Sequence, residues 1–323
     1  MSRLALLLGT IGFGSGVAAA QSPDPGPAPG RLIDVGGRRL HLLCSGQGSP
    51  TVVLEAGASA FAIDWTLVQR EVARTNRVCS YDRAGSGWSD PSTPATRATV
   101  AHDLHSLLEL AGESPPYILV GASAGGLHVR HYTLDYPDQI AGMVLVDPAS
   151  ETRLFTYFEG KGVEIAALTA EQLRTTIPPG TIAIPRRSPQ TGAPFDRLPP
   201  DLYAQRIRLD QRLIASFPDS VSYETRLAGA ETERARLARL RRTSAERQQP
   251  LGNRPLVVLT RGVDWNEGLQ QAHAGLAALS TNSRHSVIKA AGHEIHLFEP
   301  AAVIQAIADV AAAIRDGTRL PPR

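Results

Sequence analysis

The chain has little that would tie it to a nucleic acid, a metal or a membrane interior. Its 323 residues carry 33 Lys and Arg against 31 Asp and Glu, a formal net charge of +2. The basic residues are spread out, so no nucleic-acid footprint forms. No cluster of ligating residues has metal spacing, no organic cofactor is implied, and no internal repeat is evident. Past the N-terminus no segment is long and apolar enough to cross a bilayer. Cysteine is scarce, with only Cys44 and Cys79. An even, low count in an exported protein allows one disulfide; two small buried hydrophobes inside strands are the alternative.

The N-terminus reads MSRLALLLGTIGFGSGVAAAQ. One early charge at Arg3, an apolar run from Leu4 to Val17 and Ala18-Ala19-Ala20 before Gln21 have the layout of a secretory signal over residues 1–20. The protein is therefore expected to be exported, periplasmic or secreted, with no stable membrane span after cleavage. A membrane anchor would need a longer run with fewer glycines. The prolines of QSPDPGPAPG, residues 21–30, make an extended linker. Residues 31–323 remain for one domain.

Within it, strands and helices alternate. RRLHLLCSG (38–46), TVVLEAG (51–57), NRVCSYD (76–82), PPYILVGAS before residue 124, IAGMVLVD (140–147), RPLVVLTRG (254–262) and RHSVIKAAGH (284–293) have strand composition. Several are continuous apolar runs, as in strands buried on both faces. Between them, DWTLVQREVART, residues 99–110, GGLHVRHYTLDYPD and PAAVIQAIADVAAAIRDG carry apolar residues at helical spacing. This alternation predicts a mostly parallel sheet covered by helices on both faces. From about 149 to 253 the rhythm breaks. PDLYAQRIRLDQRLIASF and AETERARLARLRRTSAERQQ read as helices, the second as a solvated charged face, so the segment is expected to be a helical insertion or cap.

The chemistry centres on Gly121-Ala122-Ser123-Ala124-Gly125, a G-x-S-x-G match between a predicted strand and a predicted helix. A serine at so sharp a turn is held out at the top of the sheet, and small neighbours let the backbone bend there. Ser123 needs a base. His293 follows a late strand and precedes the last helix, on the edge where catalytic groups of such sheets gather. His296 is assigned to packing or surface, and His128 and His131 to structure. An orienting acid should fall between Ser and His in the chain. Asp264, past PLVVLTRG, and Asp147, ending GMVLVD, compete; Asp264 is preferred and Asp147 is the alternative. Backbone N–H groups of Ala124 and Ala58 are the candidate oxyanion donors.

Taken together, VVLEAGASAFAIDW, CSYDRAGSGWSD, LVGASAGG, GMVLVDPAS and AAGHEIHLFEP resemble the α/β-hydrolase fold, of the capped esterase and lipase type, from about residue 31 onward. The resemblance implies a mostly parallel eight-stranded sheet, the nucleophile after its fifth strand, a Ser–His–acid triad and a cap over the pocket. It also sets the strand of Cys44 beside that of Cys79, which favours the disulfide. The chain departs from the family at Glu55-Ala56-Gly57, where many relatives carry His-Gly. The usual acid lies one residue beyond Asp264, and some members use the position of Asp147. Asp82 and Arg83 match a family motif that shapes the loop near the pocket, and both are read as structural.

The expected activity is hydrolysis of a small-molecule carboxylic ester through an acyl-enzyme on Ser123. Amide, lactone or peptide hydrolysis uses the same apparatus, and a non-catalytic ligand-binding protein on this fold is the other class. Epoxide and haloalkane hydrolases would want a carboxylate where Ser123 stands. Phe155, Tyr157, Phe158, Phe217 and Tyr223 of the insertion could line a pocket or merely pack.

Overall fold

The computed structural model describes residues 24–91, 97–152, 155–158, 161–245, 249–264 and 266–321. The signal read over 1–20 and the start of the linker lie outside them. A hairpin of β1 (Arg31–Asp34) and β2 (Arg39–Ser45) is followed by β3 (Thr51–Glu55), α1 (Thr66–Val72), β4 (Val78–Tyr81), α2 (Arg97–Ala111), β5 (Tyr117–Ala122), α3 (Ala124–Asp135) and β6 (Ile140–Val146). The inserted segment holds β7 (Phe155–Phe158), β8 (Lys161–Glu164), α4 (Ala170–Thr176), β9 (Ile182–Ala183), α5 (Pro200–Ser216), β10 (Ser220–Val221) and α6 (Tyr223–Ala245). The chain then returns through β11 (Leu256–Arg261), α7 (Glu267–Ala277), β12 (Ser283–Ile288), the short α8 (Ile295–Phe298) and α9 (Pro300–Asp316).

Eight strands form one sheet in the order β1-β2-β4-β3-β5-β6-β11-β12. Only β1–β2 and β2–β4 pair antiparallel; from β4 to β12 all neighbours are parallel. Every residue of β3, β4 and β5 is buried, which is why their sequences are apolar runs rather than alternations. One core packs Trp65, Val68 and Val72 of the α1 side with Val303, Ile307 and Val310 of α9 against one face. The other packs Leu104 and Leu107 of α2, Val129 and Tyr132 of α3 and Leu276 of α7 against the opposite face. Cys44 and Cys79 are register partners on β2 and β4 and are joined in a disulfide.

The strand order reverses at β3, with β4 on one side and β5 on the other. In an open parallel sheet such a switch point leaves a crevice outside the carboxyl ends of the strands. Gly57 follows β3 and Ser123 follows β5, so both stand at that crevice.

The expected helical insertion, about 149–253, falls between β6 and β11. Its two sequence-predicted helices form as α5 and α6, but two small two-stranded sheets, β7–β8 and β9–β10, accompany them. Strands of two or four residues are too short to register as a period-two pattern. The charged α6 is not wholly solvated, since Leu237 and Leu240 are buried beside Leu127 of α3.

Candidate active site

Ser123 sits between β5 and α3 at φ 50° and ψ −121°, a conformation a side chain adopts only where the surroundings enforce it. Enforcement comes from the backbone. The Ser123 N–H donates to the Val146 carbonyl at 3.1 Å, and the Ser123 carbonyl accepts from Ala149 at 2.8 Å. A Cβ on Gly121 would lie 2.6 Å from the Gly125 carbonyl oxygen, and one on Gly125 would strike the Glu55 carbonyl, so the turn closes only with glycine at both places. The Ser123 hydroxyl makes no capping bond to its own helix. It lines a cavity of about 220 Å³ with Gly57, Ala58, Ala122 and His293.

The carboxylate against His293 belongs to Asp147, not to Asp264. Asp147 Oδ2 lies 2.5 Å from His293 Nδ1. Its Oδ1 accepts the Arg261 N–H at 3.0 Å, and the Arg261 guanidinium donates to Oδ2 at 3.0 Å. Burial works against the Asp147 charge. Hydrogen bonds from His293 and the Arg261 amide, and the positive charge nearby, nevertheless hold its carboxyl below the usual range. The preference for Asp264 is corrected for a backbone reason. Past β11, Gly262 donates to the Ile288 and Ala291 carbonyls and Val263 to Ala291. That zips the loop to the end of β12 and leaves Asp264 exposed.

Behind Gly57 lies a buried ionic cluster. Glu55 is fully buried and meets Arg83 Nη1 at 2.5 Å, His128 Nδ1 at 3.0 Å and the Tyr81 hydroxyl. Burial pushes its carboxyl up, but the charges of Arg83 and His128 prevail and hold it below the usual range. The same guanidinium donates to the Ala56 carbonyl at 2.7 Å and the Gly57 carbonyl at 2.6 Å. In a trans peptide the N–H opposes the C=O, so turning the Gly57 carbonyl toward Arg83 turns the Ala58 N–H away from it. Ala124 opens α3, where the first N–H groups have no partner within the helix. Asp82 organises the next loop: it accepts from Ala62 N–H at 2.8 Å and lies 2.7 Å from His41 Nδ1.

The far wall of the cavity carries Asp64, Gln190, Phe195, Arg206, Glu294 and His296. The sequence reading missed Arg206, Asp64 and Gln190, and it gave His296 to packing or surface. A signal existed for Arg206, because Leu202, Arg206, Leu209 and Leu213 share one stripe of α5 and a charge on an apolar stripe asks for a buried partner. A second cavity, about 400 Å³, also borders Ala58 and is lined by Arg83, Ala124, His128 and Arg236. Of the insertion's aromatic residues, Phe217 is exposed and Tyr223 partly so. The side chains of Phe155, Tyr157 and Phe158 lie outside the described residues. Cys44, Cys79 and Glu113 bring potential ligating atoms within 4.8 Å of one another, but the disulfide occupies both sulfurs.

A family model described as the alpha/beta hydrolase fold matches residues 50–300. A Hormonema carpetanum protein described as a probable transporter, efuK, is 38% identical over 135 residues, 39% of this chain and 19% of that protein. The match thus spans less than a fifth of that relative's length. The uncharacterized protein YqjL of Bacillus subtilis is 25% identical over 276 residues, 82% of this chain and 85% of its own. Among solved structures, a thermophilic esterase from Thermogutta terrifontis superposes with a TM-score of 0.58 at 22% identity, covering 88% of this chain and 97% of the esterase. At that identity the likeness shows the fold.

Proposed function

Because the chain belongs to the alpha/beta hydrolase fold family, we propose that it is a serine hydrolase that cleaves carboxylic esters through an acyl-enzyme. The observation that carries the reading is that Ser123 after β5 and His293 after β12 line one cavity, while Asp147 after β6 lies 2.5 Å from His293 Nδ1.

In this reading His293 Nδ1–H donates to Asp147, which fixes the tautomer and leaves Nε2 free to accept a proton. Ser123 Oγ attacks the ester carbonyl as its proton passes to His293. The carbonyl oxygen becomes an oxyanion, held by the N–H groups of Ala58 and Ala124. The C–O bond breaks, the alcohol leaves with the proton from His293, and the acyl group stays on Ser123. Water, deprotonated by His293, then attacks the acyl-enzyme, releasing the acid and restoring the serine. The Arg83 grip on the Gly57 carbonyl supports an oxyanion site that is set before substrate arrives, which is where such donors are most effective. An exported location remains part of the proposal, and the Cys44–Cys79 disulfide is consistent with an oxidising compartment.

The test is hydrolysis of a panel of simple esters followed by acid release at constant pH. The reading expects turnover by the wild-type protein and its loss, by about a thousandfold or more, in Ser123→Ala and in His293→Ala. Turnover that survives Ser123→Ala would remove the serine from the mechanism.

A further inference from the structure

The chamber beside Ser123 has a polar wall that the hydrolytic steps do not use. Arg206 of α5 is fully buried in it. Its Nε donates to Asp64 Oδ1 at 2.9 Å, its Nη2 to Gln190 Oε1 at 3.0 Å and its Nη1 to the Gln190 carbonyl at 3.2 Å. The guanidinium carbon stands 3.5 Å over the Phe195 ring. Asp64 is 1% exposed, and its second oxygen accepts the Phe61 N–H at 3.1 Å. His296 is 6% exposed, packs against Trp65 with ring centroids 4.5 Å apart, and also lines the chamber. Its buried Nδ1 has no hydrogen-bond partner among the described residues. Burial drives its imidazole down to about 3, so the ring is neutral at working pH. Gln190, exposed at the rim, fixes its oxygen on Arg206 and thereby turns its amide NH₂ outward from that contact.

We propose that this chamber binds an uncharged hydrogen-bonding group, a hydroxyl or a carboxamide, carried on the substrate ester. The inference rests on the ester-hydrolase reading above and names the class of ester. An alkyl chain in the chamber would leave the polar groups of Asp64, Gln190 and His296 that line it without a polar partner. A hydroxyl or amide both donates and accepts, as this mixed wall requires. A charged group is disfavoured for either sign. Arg206 and Asp64 already neutralise each other; a carboxylate would meet the Glu294 and Asp64 carboxylates, and an ammonium would meet the buried Arg206 guanidinium. Arg206 on an otherwise apolar stripe of α5, with Asp64 as its buried partner, makes the wall a built feature rather than an accident of exposure.

The experiment uses two matched series, methyl hexanoate and hexyl acetate, each compared with its terminal hydroxyl, carboxamide, carboxylate and ammonium derivatives. Two series are needed because the recognised group can ride on the acid or on the alcohol. In one of them kcat/KM for the hydroxyl or carboxamide ester should exceed that of the alkyl parent by about tenfold or more. His296→Phe and Gln190→Leu should each draw that ratio back toward one. Arg206 itself is left in place, since removing it strands the buried Asp64 carboxylate. Equal rates within both series, preference for the alkyl or a charged ester, or a ratio unmoved in both variants would overturn the proposal, while Ser123 still formed a fluorophosphonate adduct and the hydrolase reading stood. No adduct and no hydrolysis of any ester would overturn that reading, and this inference with it.

Discussion

Asp147 and His293, 146 residues apart in sequence, meet at 2.5 Å across the carboxyl edge of the sheet. Asp147 reaches that position from a left-handed backbone conformation at φ 41°, held by the Arg261 amide and guanidinium. Asp264 shares the unusual φ, at 54°, but stands exposed. Asp147→Asn should therefore lower kcat by about 10³–10⁴, the effect of presenting the imidazole in the wrong tautomer. Asp264→Asn should stay within about twofold of wild type, as an exposed substitution away from the reacting groups does. Turnover numbers on one ester, with circular dichroism to confirm folding, check both. A dead Asp264 variant beside an active Asp147 variant would reverse the assignment.

Arg83 is expected to act on turnover without touching substrate. Its guanidinium holds the Ala56 and Gly57 carbonyls and Glu55 together, a planar fork that lysine cannot reproduce. Arg83→Lys keeps the charge beside buried Glu55 but frees the loop. The expected result is a fall in kcat of about ten- to a hundredfold, below the full loss of one oxyanion donor. KM should change much less. A change confined to KM would assign the cluster to binding.

The Cys44–Cys79 bridge closes a loop of 35 residues between two neighbouring strands. Replacing both cysteines with alanine should lower stability by about 2–4 kcal/mol, read as a lower midpoint of urea unfolding. Reductant should shift the wild-type midpoint the same way and leave the double variant unmoved.

His131 sets an acid limit on stability. It is buried with both ring nitrogens unpartnered among the described residues. Burial first, then the charges of Arg236, Arg130 and Arg239, push its imidazole down to about 3. In the unfolded chain it takes a proton near 6.5, so between those values the unfolded state binds more protons. Its contribution is thus intact above 6.5 and is lost as pH falls through the window. The slope is about 1.4 kcal/mol per pH unit. Denaturant titrations from neutral pH downward should show wild type losing stability more steeply than His131→Phe. Parallel curves would contradict the assignment.

Much of the fold was legible because β3, β5, β6 and β11 are buried on both faces, and burial of that kind writes continuous apolar runs. The turn at Ser123 was legible because close backbone approach demands small residues at Gly121 and Gly125. The acid was harder to read. Asp147 and Asp264 both lie just past the carboxyl ends of strands, and what separates them is which loop is zipped to β12, a tertiary fact carried by backbone hydrogen bonds. The insertion was the least readable part. Its strands run two to four residues, and the buried pair Arg206–Asp64 joins positions 142 residues apart. No local pattern encodes such a partner; only the charge on the apolar stripe of α5 hints at it.

The most direct measurement is intact mass after treatment of the protein with a fluorophosphonate, beside Ser123→Ala and Asp147→Asn. The account predicts one adduct on the wild-type chain, none on Ser123→Ala, and slow labelling of Asp147→Asn. A folded wild-type protein that stays unlabelled, or an adduct that persists in Ser123→Ala, would contradict it.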